Sequence, residues 1–207
     1  METKNVVTKK IMFNDNYGLT QAVLESRKTM TRRIIHLTEA DKTYLDTAFD
    51  WDIRERVIID RYAKYKVGEV VAVAQSYKSV FKESLSYSIP RWHWLDDHIG
   101  EKGFDNKMFV KASEMPHQIQ ITGIKIERLQ DISEEDCLRE GLQEYFPYID
   151  RNPNDKVRTF RYFKNGKIRH CISPASKCFA YLIDDISGKG TWLSNPFVFV
   201  YSFKLIK

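Results

Sequence analysis

Two segments, LESRKTMTRR at residues 24–33 and IERLQDISEEDCLREGL at residues 126–142, carry most of the information about this fold. The first places basic and hydroxyl side chains at the end of a predicted helix over about 17–28. The second segment begins in a predicted strand and continues into a predicted short helix, which Ser133 caps and Gly141 ends. A lysine, a hydroxyl and a carboxylate from two distant segments would then meet, in basic surroundings that favour an anionic partner.

Outward from these segments, the sequence reads mainly as strands. The run VVAVAQSY at 70–77 predicts a buried strand. Alternating isoleucines predict a strand over 117–129, with a bulge or bend at Gly123. Asn165-Gly166, between apolar and aromatic runs, predicts a two-residue hairpin within 157–172. Further expected elements are strands at 10–14, 108–111 and 197–206, a helix opened by Ser173-Pro174, and partly helical structure within 38–65.

The length of 207 residues suits one domain. The pattern predicts five to seven strands with three short helices, without regular strand–helix alternation. We therefore expect an α+β fold, a small mixed β-barrel elaborated by insertions. The three blocks expected to be insertions are about 36–65, 78–107 and 143–172.

The net charge of +5 is unevenly distributed. Residues 151–170 contain seven basic residues and a single acidic one, Asp155. The net positive charge of this stretch therefore exceeds that of the whole protein. Such a concentration is typical of a nucleic-acid or other polyanion surface, although a solvated hairpin explains it too. The seven basic residues are Arg151, Lys156, Arg158, Arg161, Lys164, Lys167 and Arg169.

Several other classes of protein are disfavoured. No apolar run approaches the roughly 18 residues that a membrane span needs, and residues 1–10 lack the features of a signal peptide. Three irregularly spaced cysteines favour free thiols in a reduced cytoplasm. His170, Cys171 and Cys178 lack the tight ligand pairs of structural zinc sites, so we expect no metal and no cofactor.

The two segments above, together with KVGEVVAV at 66–73 and NPFVFVYSF at 195–203, resemble the ASCH domain of the PUA-like superfamily. The likeness is greatest to members encoded by phages and prophages, and covers about half the chain: about 10–35, 66–77, 108–142 and 177–206. The resemblance implies a closed β-barrel whose cleft binds RNA or a modified nucleoside. Ser26 stands where a glycine is common in the family, and Phe197 and Phe199 stand where tryptophans are frequent.

Some compact bacterial members of that family are amidohydrolases acting on N4-acetylcytidine. Their catalytic lysine, threonine and glutamate match Lys28, Thr31 and Glu140 of this sequence. A spacing of three would place Lys28 and Thr31 on one face of a helical turn. A lysine becomes a base only when its pKa falls from about 10.4. The neighbouring arginines that would lower it, or bind phosphate instead, are Arg27, Arg32 and Arg33.

The expected function is binding of RNA, another single-stranded nucleic acid or a modified nucleoside, because charge, aromatic residues and expected fold agree on it. The alternatives are amide hydrolysis on an acylated nucleoside and RNA cleavage using Lys28 and Glu140. In a two-residue hairpin, Lys164 faces Lys167 and Tyr162 faces Arg169, so that aromatic rings and cations would share a nucleic-acid surface. The predicted nucleic-acid contacts are Arg27, Arg32, Arg33, Arg158, Arg161, Tyr162, Lys164, Lys167 and Arg169. The sequence leaves the oligomeric state open.

Overall fold

The computed structural model describes residues 7–47, 50–85, 92–145, 158–172 and 174–206. Within them lie eight strands and eight α-helices, in an α+β arrangement. The strands are β1 (Lys10–Ile11), β2 (Met30–Ile34), β3 (Val70–Val73), β4 (Gln118–Arg128), β5 (Gln143–Tyr145), β6 (Thr159–Lys164), β7 (Lys167–Ile172) and β8 (Phe197–Leu205). The helices are α1 (Leu19–Leu24), α2 (Glu39–Asp46), α3 (Trp51–Tyr62), α4 (Tyr77–Ser84), α5 (Trp92–His98), α6 (Glu134–Arg139), α7 (Ala175–Ser187) and α8 (Thr191–Ser194).

A five-stranded sheet in the order β1-β3-β4-β8-β2 forms the centre of the fold. Only the pairing of β1 with β3 is parallel. β1 and β2 are the edges among the described strands, so the sheet is open and the predicted barrel closure is not observed. The α+β class is confirmed. Residues of the edge strand β2 line a cavity.

The interior strand β8 lies between two hydrophobic cores. Phe199 and Tyr201 pack into one core with Val71 and Ile121, whereas Val198 and Val200 pack into the other with α7. This alternation follows from the two-residue period of a strand, which sends successive side chains to opposite faces. The predicted bulge in β4 is confirmed, since the register with β8 shifts between Ile121 and Gly123.

A second sheet, β5-β6-β7, arises from the block predicted as the third insertion. Asn165 and Gly166 have φ of 51° and 73°, as the predicted two-residue turn requires. Lys164 pairs with Lys167 and Tyr162 with Arg169, so the predicted register is confirmed. The face that carries Phe160 and Tyr162, however, packs into the core beside α7.

Several local predictions were wrong. The helix over 17–28 is a 3-10 turn followed by α1, which ends at Leu24. Residues 108–111 form no strand, because short 3-10 turns at Lys107–Phe109 and Ala112–Glu114 occupy this region. The sequence predicted only three helices, whereas the regions of the blocks 36–65 and 78–107 contain α2 to α5.

Some predictions cannot be compared with the structure. Arg151, Asp155, Lys156 and Ser173 lie outside the described residues. Among the described helices, none combines the length and the apolar character that crossing a bilayer would need.

Candidate active site

A tight turn between α1 and β2 directs Lys28 into the protein. Ser26 adopts the left-handed conformation, with φ of 57°, which is the conformation that glycine adopts most readily. The amides of Arg27 and Lys28 both donate to the carbonyl of Ala22, 2.9 Å away. The turn thus reverses the chain, and Lys28 is only 2% exposed. Lys28 and Thr31 lie on a loop and a strand, so the predicted shared helical face was wrong.

Helix α6 positions Glu140 at its C-terminal end. Ser133 caps this helix by accepting from the amide of Asp136, as the sequence predicted. Gly141 follows with φ of 108°, and a Cβ there would lie 3.2 Å from Leu19. A glycine at this position therefore allows α6 to approach α1. The amide of Thr29 donates to the carbonyl of Arg139 at 3.0 Å and joins the two distant segments.

The result is a buried ion pair between Lys28 and Glu140. Lys28 Nζ donates to Glu140 Oε2 at 2.6 Å and to the main-chain oxygen of the same residue at 2.7 Å. Both side chains are at most 5% exposed. The two residues are thus held together by side-chain and backbone contacts over a separation of 112 positions.

Arg32 contacts the second carboxylate oxygen of Glu140. Its Nη1 donates to Glu140 Oε1 at 3.1 Å, and its Nη2 donates to Asp136 Oδ2 at 2.9 Å. The guanidinium also donates from Nε to Glu127 Oε1 at 2.9 Å. One arginine side chain, only 1% exposed, therefore contacts three carboxylates. This fork geometry orients Glu140 toward Lys28.

The environment of Lys28 shifts its pKa downward. Burial lowers the pKa of the Lys28 ammonium; Glu140 opposes this shift, while the positive charges of Arg33 and Arg32 add to it. A lysine pKa lowered by desolvation and nearby cations is a recognised way to prepare an amine as a general base.

A cavity of about 280 Å³ opens beside the pair. Thr31 lines it together with Lys28, Arg32 and Glu140, and its hydroxyl has no hydrogen-bond partner among the described residues. Because β2 is an edge strand, consecutive residues from Thr31 to Ile34 all line the cavity. The opposite wall is apolar and comes largely from α7, through Phe179, Leu182, Ile183 and Ile186.

Only some of the residues predicted to contact nucleic acid are exposed and without an ion pair in the part of the chain that the structure describes. Lys167 and Arg169 are exposed on β7, and Arg33 is exposed at the cavity, where its Nη2 donates to the carbonyl of Met12 at 2.5 Å. Arg32 and Tyr162 are unsuited to this role, because Arg32 is buried among carboxylates and Tyr162 is 7% exposed. The remaining cations bind nearby side chains: Arg27 to Glu25, Arg158 to Glu134 and Glu144, Arg161 to Gln143, and Lys164 to Asp185.

Sequence reasoning missed Glu127 and Asp136 as partners of Arg32. Both lie in the segment 126–142 that indicated the site, but their acidic side chains read as ordinary surface charges. The available signal was the two-residue alternation of β4. Because Lys125 pairs with Val200, which in turn pairs with Arg32, Glu127 lies on that same face of the sheet. His36, which lines the cavity, was also missed.

Within the described residues, no group of three or more His, Cys, Asp or Glu side chains is arranged to hold a metal ion. Comparison of the chain with protein-family models, curated proteins and solved structures finds no match.

Proposed function

We propose that this protein is an amidohydrolase that removes an acyl group from a modified nucleoside such as N4-acetylcytidine. The observation that carries the proposal is the buried Lys28–Glu140 pair beside a cavity that Thr31 also lines. The types of these residues agree with the resemblance to ASCH domains. We also propose that the sheet descends from a PUA-like fold. The cavity volume of about 280 Å³ lies just below the range of about 300–1,000 Å³ typical of ligand pockets, and suits one small molecule.

The chemistry proceeds in two halves. Neutral Lys28 removes the proton from the Thr31 hydroxyl, and the oxygen attacks the acyl carbon. The C–N bond breaks as the Lys28 ammonium returns the proton to the departing nitrogen. Water then attacks the threonine ester as Lys28 takes its proton. The ester C–O bond breaks, the Lys28 ammonium returns that proton to the Thr31 oxygen, and the carboxylic acid is released. Glu140 orients the amine and stabilises the ammonium at each stage, and Arg33 supplies positive charge for the oxyanion.

Substitution of Thr31 tests the role of the hydroxyl. Thr31→Val keeps the shape and removes the nucleophile, so kcat should fall about a hundredfold; Lys28 would still activate water directly. Thr31→Ser keeps the hydroxyl and loses one methyl group, so kcat should stay within about tenfold of the natural protein. Release of free cytidine from N4-acetylcytidine, followed by chromatography, measures both. Equal activity of the valine and natural proteins would exclude Thr31 as nucleophile.

The same assay separates hydrolysis from RNA cleavage. A short RNA that contains one acetylated cytidine reports deacetylation as a loss of mass and cleavage as new ends. We expect deacetylation without cleavage, since the buried pair lies in a pocket rather than along an open groove.

A second candidate function is binding of RNA or another single-stranded nucleic acid through β7. Lys167 and Arg169 are exposed there, and neither is in an ion pair among the described residues. Such cations attract phosphates regardless of sequence. This surface would deliver a longer substrate to the cavity, so the two functions are compatible.

A paired substitution tests this surface. Lys167→Glu combined with Arg169→Glu should weaken RNA binding strongly and flatten its salt dependence, since each lost phosphate contact removes about 0.7 from the slope of log K against log salt on single strands. Fluorescence anisotropy at several salt concentrations measures this. Lys42→Glu with Lys204→Glu is the matched control, because it reverses the same charge elsewhere. Equal effects of the two double variants would mean that net charge, rather than β7, governs binding.

A further inference from the structure

A second cavity, of about 390 Å³, adjoins the first. The two share Arg33, Ile34 and His36, all from β2 or the residues just after it. Because these residues line both spaces, the two cavities meet along β2, at the edge of the sheet. The second cavity is thus placed to receive whatever part of the substrate lies beyond the acylated group.

The second cavity has aromatic walls that are held in place. Tyr65 and Tyr201 pack edge to face with ring centroids 5.4 Å apart. The Tyr65 hydroxyl donates to the carbonyl of Lys10 at 2.9 Å, and the Tyr201 hydroxyl accepts from the amide of Lys64 at 3.1 Å. Phe199 and Tyr62 complete this wall. Flat, fixed rings of this kind suit a planar or sugar-like group.

The charge of the second cavity is one-sided. Lys64 and Arg33 line it together with His36, and none of the described residues that line it is Asp or Glu. Neither Lys64 nor Arg33 forms an ion pair within the described chain. In the first cavity, by contrast, Glu140 and its carboxylate neighbours neutralise Lys28 and Arg32. The second cavity therefore favours an anion more strongly than the first does.

The wall that carries Lys64 comes from the block expected to be an insertion. Tyr62 ends α3, and Lys64 and Tyr65 follow it directly. Helix α3 is anchored to α2, since Arg61 Nη1 donates to Asp41 at 2.7 Å and the Tyr62 hydroxyl donates to the same carboxylate. The insertion therefore forms a rigid wall beside the reaction site and extends the space available to a substrate.

We propose that the second cavity binds the phosphate of the substrate, so that the protein acts on a nucleotide rather than on a free nucleoside. Lys64 contacts the phosphate, Arg33 adds positive charge where the two cavities meet, and the aromatic wall contacts the sugar. This inference rests on the proposed function, because it assumes that the acylated base occupies the first cavity. The phosphate has two possible sources, a free nucleoside monophosphate or the end of an RNA chain.

Calorimetric titration at low salt tests the anion site without requiring turnover. The ligands are cytidine, cytidine 5′-monophosphate and inorganic phosphate, and the proteins are the natural chain, Lys64→Gln and Lys66→Gln. Lys66 is the matched control, since it is exposed two positions later and lines a different cavity. We expect the monophosphate to bind the natural chain about ten- to a hundredfold more tightly than cytidine. The ratio should fall to about threefold or less in Lys64→Gln and persist in Lys66→Gln.

Two results would overturn the inference: equal binding of cytidine and its monophosphate to the natural chain, or the same ratio in Lys64→Gln as in the natural chain. Turnover of N4-acetylcytidine without any gain from a phosphate would retain the proposed hydrolase and reject the anion site. Conversely, Lys64-dependent binding of the monophosphate without any turnover would retain the anion site and reject the hydrolase. A short RNA ending in the same nucleotide identifies the source of the phosphate: tighter binding than the monophosphate supports a chain end, and weaker binding supports the free nucleotide.

Discussion

Replacing Lys28 by methionine should reduce kcat/KM for N4-acetylcytidine by about 10⁴-fold, the upper end of the effect of a positioned acid–base group. The effect is large because Lys28 takes the proton from the nucleophile and later returns it to the leaving nitrogen. Methionine fills a similar volume, and Glu140 keeps its contact with Arg32 at 3.1 Å, so the fold should persist. Steady-state kinetics together with circular dichroism checks both statements.

Lys28→Arg should lose as much kcat/KM as Lys28→Met, because a guanidinium does not give up its proton under these conditions. Activity in the arginine variant would exclude Lys28 as the base. Lys204→Ala is the control, since this lysine is exposed on β8 and should leave kinetics unchanged. In the natural protein, activity should rise with pH through the lowered pKa of Lys28, since the neutral amine is the active form, and the midpoint should lie below the ordinary value of about 10.4.

Removing Arg32 should cause the largest loss of stability. Arg32→Met leaves Glu127, Asp136 and Glu140 close together without their shared guanidinium. Loss of one partner from a buried ionic cluster costs about 3–5 kcal/mol, which corresponds to a decrease in Tm of about 6–20 °C for a chain of this length. Lysine should not restore this stability, because a single ammonium does not reproduce the planar fork that contacts all three carboxylates.

Thermal unfolding of Arg32→Met and Arg33→Met provides a matched comparison. The two arginines are adjacent on β2, but Arg33 is exposed and lacks an ion pair within the described chain. We expect Arg33→Met to change the free energy of unfolding by less than about 1 kcal/mol. Equal stability of the two variants at neutral pH would contradict the structural role of Arg32.

Several elements could be predicted because their signals are local. Ser133 caps α6, Asn165-Gly166 turns the hairpin in the expected register, and Gly123 marks the bulge in β4. Each depends on conformational preferences within a few residues. The strand predicted at 108–111 failed because a short apolar run does not by itself distinguish a strand from a turn packed on the core.

The role of Arg32 could not be predicted in the same way. An arginine in a basic run looks the same whether it faces phosphate or lies among carboxylates. The choice depends on where β4 and α6 place Glu127 and Asp136, which are more than ninety residues away. The aromatic face of the hairpin was misassigned for a similar reason: the alternation identified Phe160 and Tyr162 as one face, and packing beside α7 decided that this face is buried.

By itself, the sequence determined the local caps, turns and alternating faces, because these follow from near-neighbour chemistry. Lys28, Thr31 and Glu140 were indicated by the resemblance to ASCH domains. Only the tertiary structure decided that the three line one cavity, that Arg32 is buried among three carboxylates, and that a second, basic cavity adjoins the first along β2. Burial is the physical reason. It determines which charges are desolvated and paired, and burial arises from contacts between segments far apart in the chain.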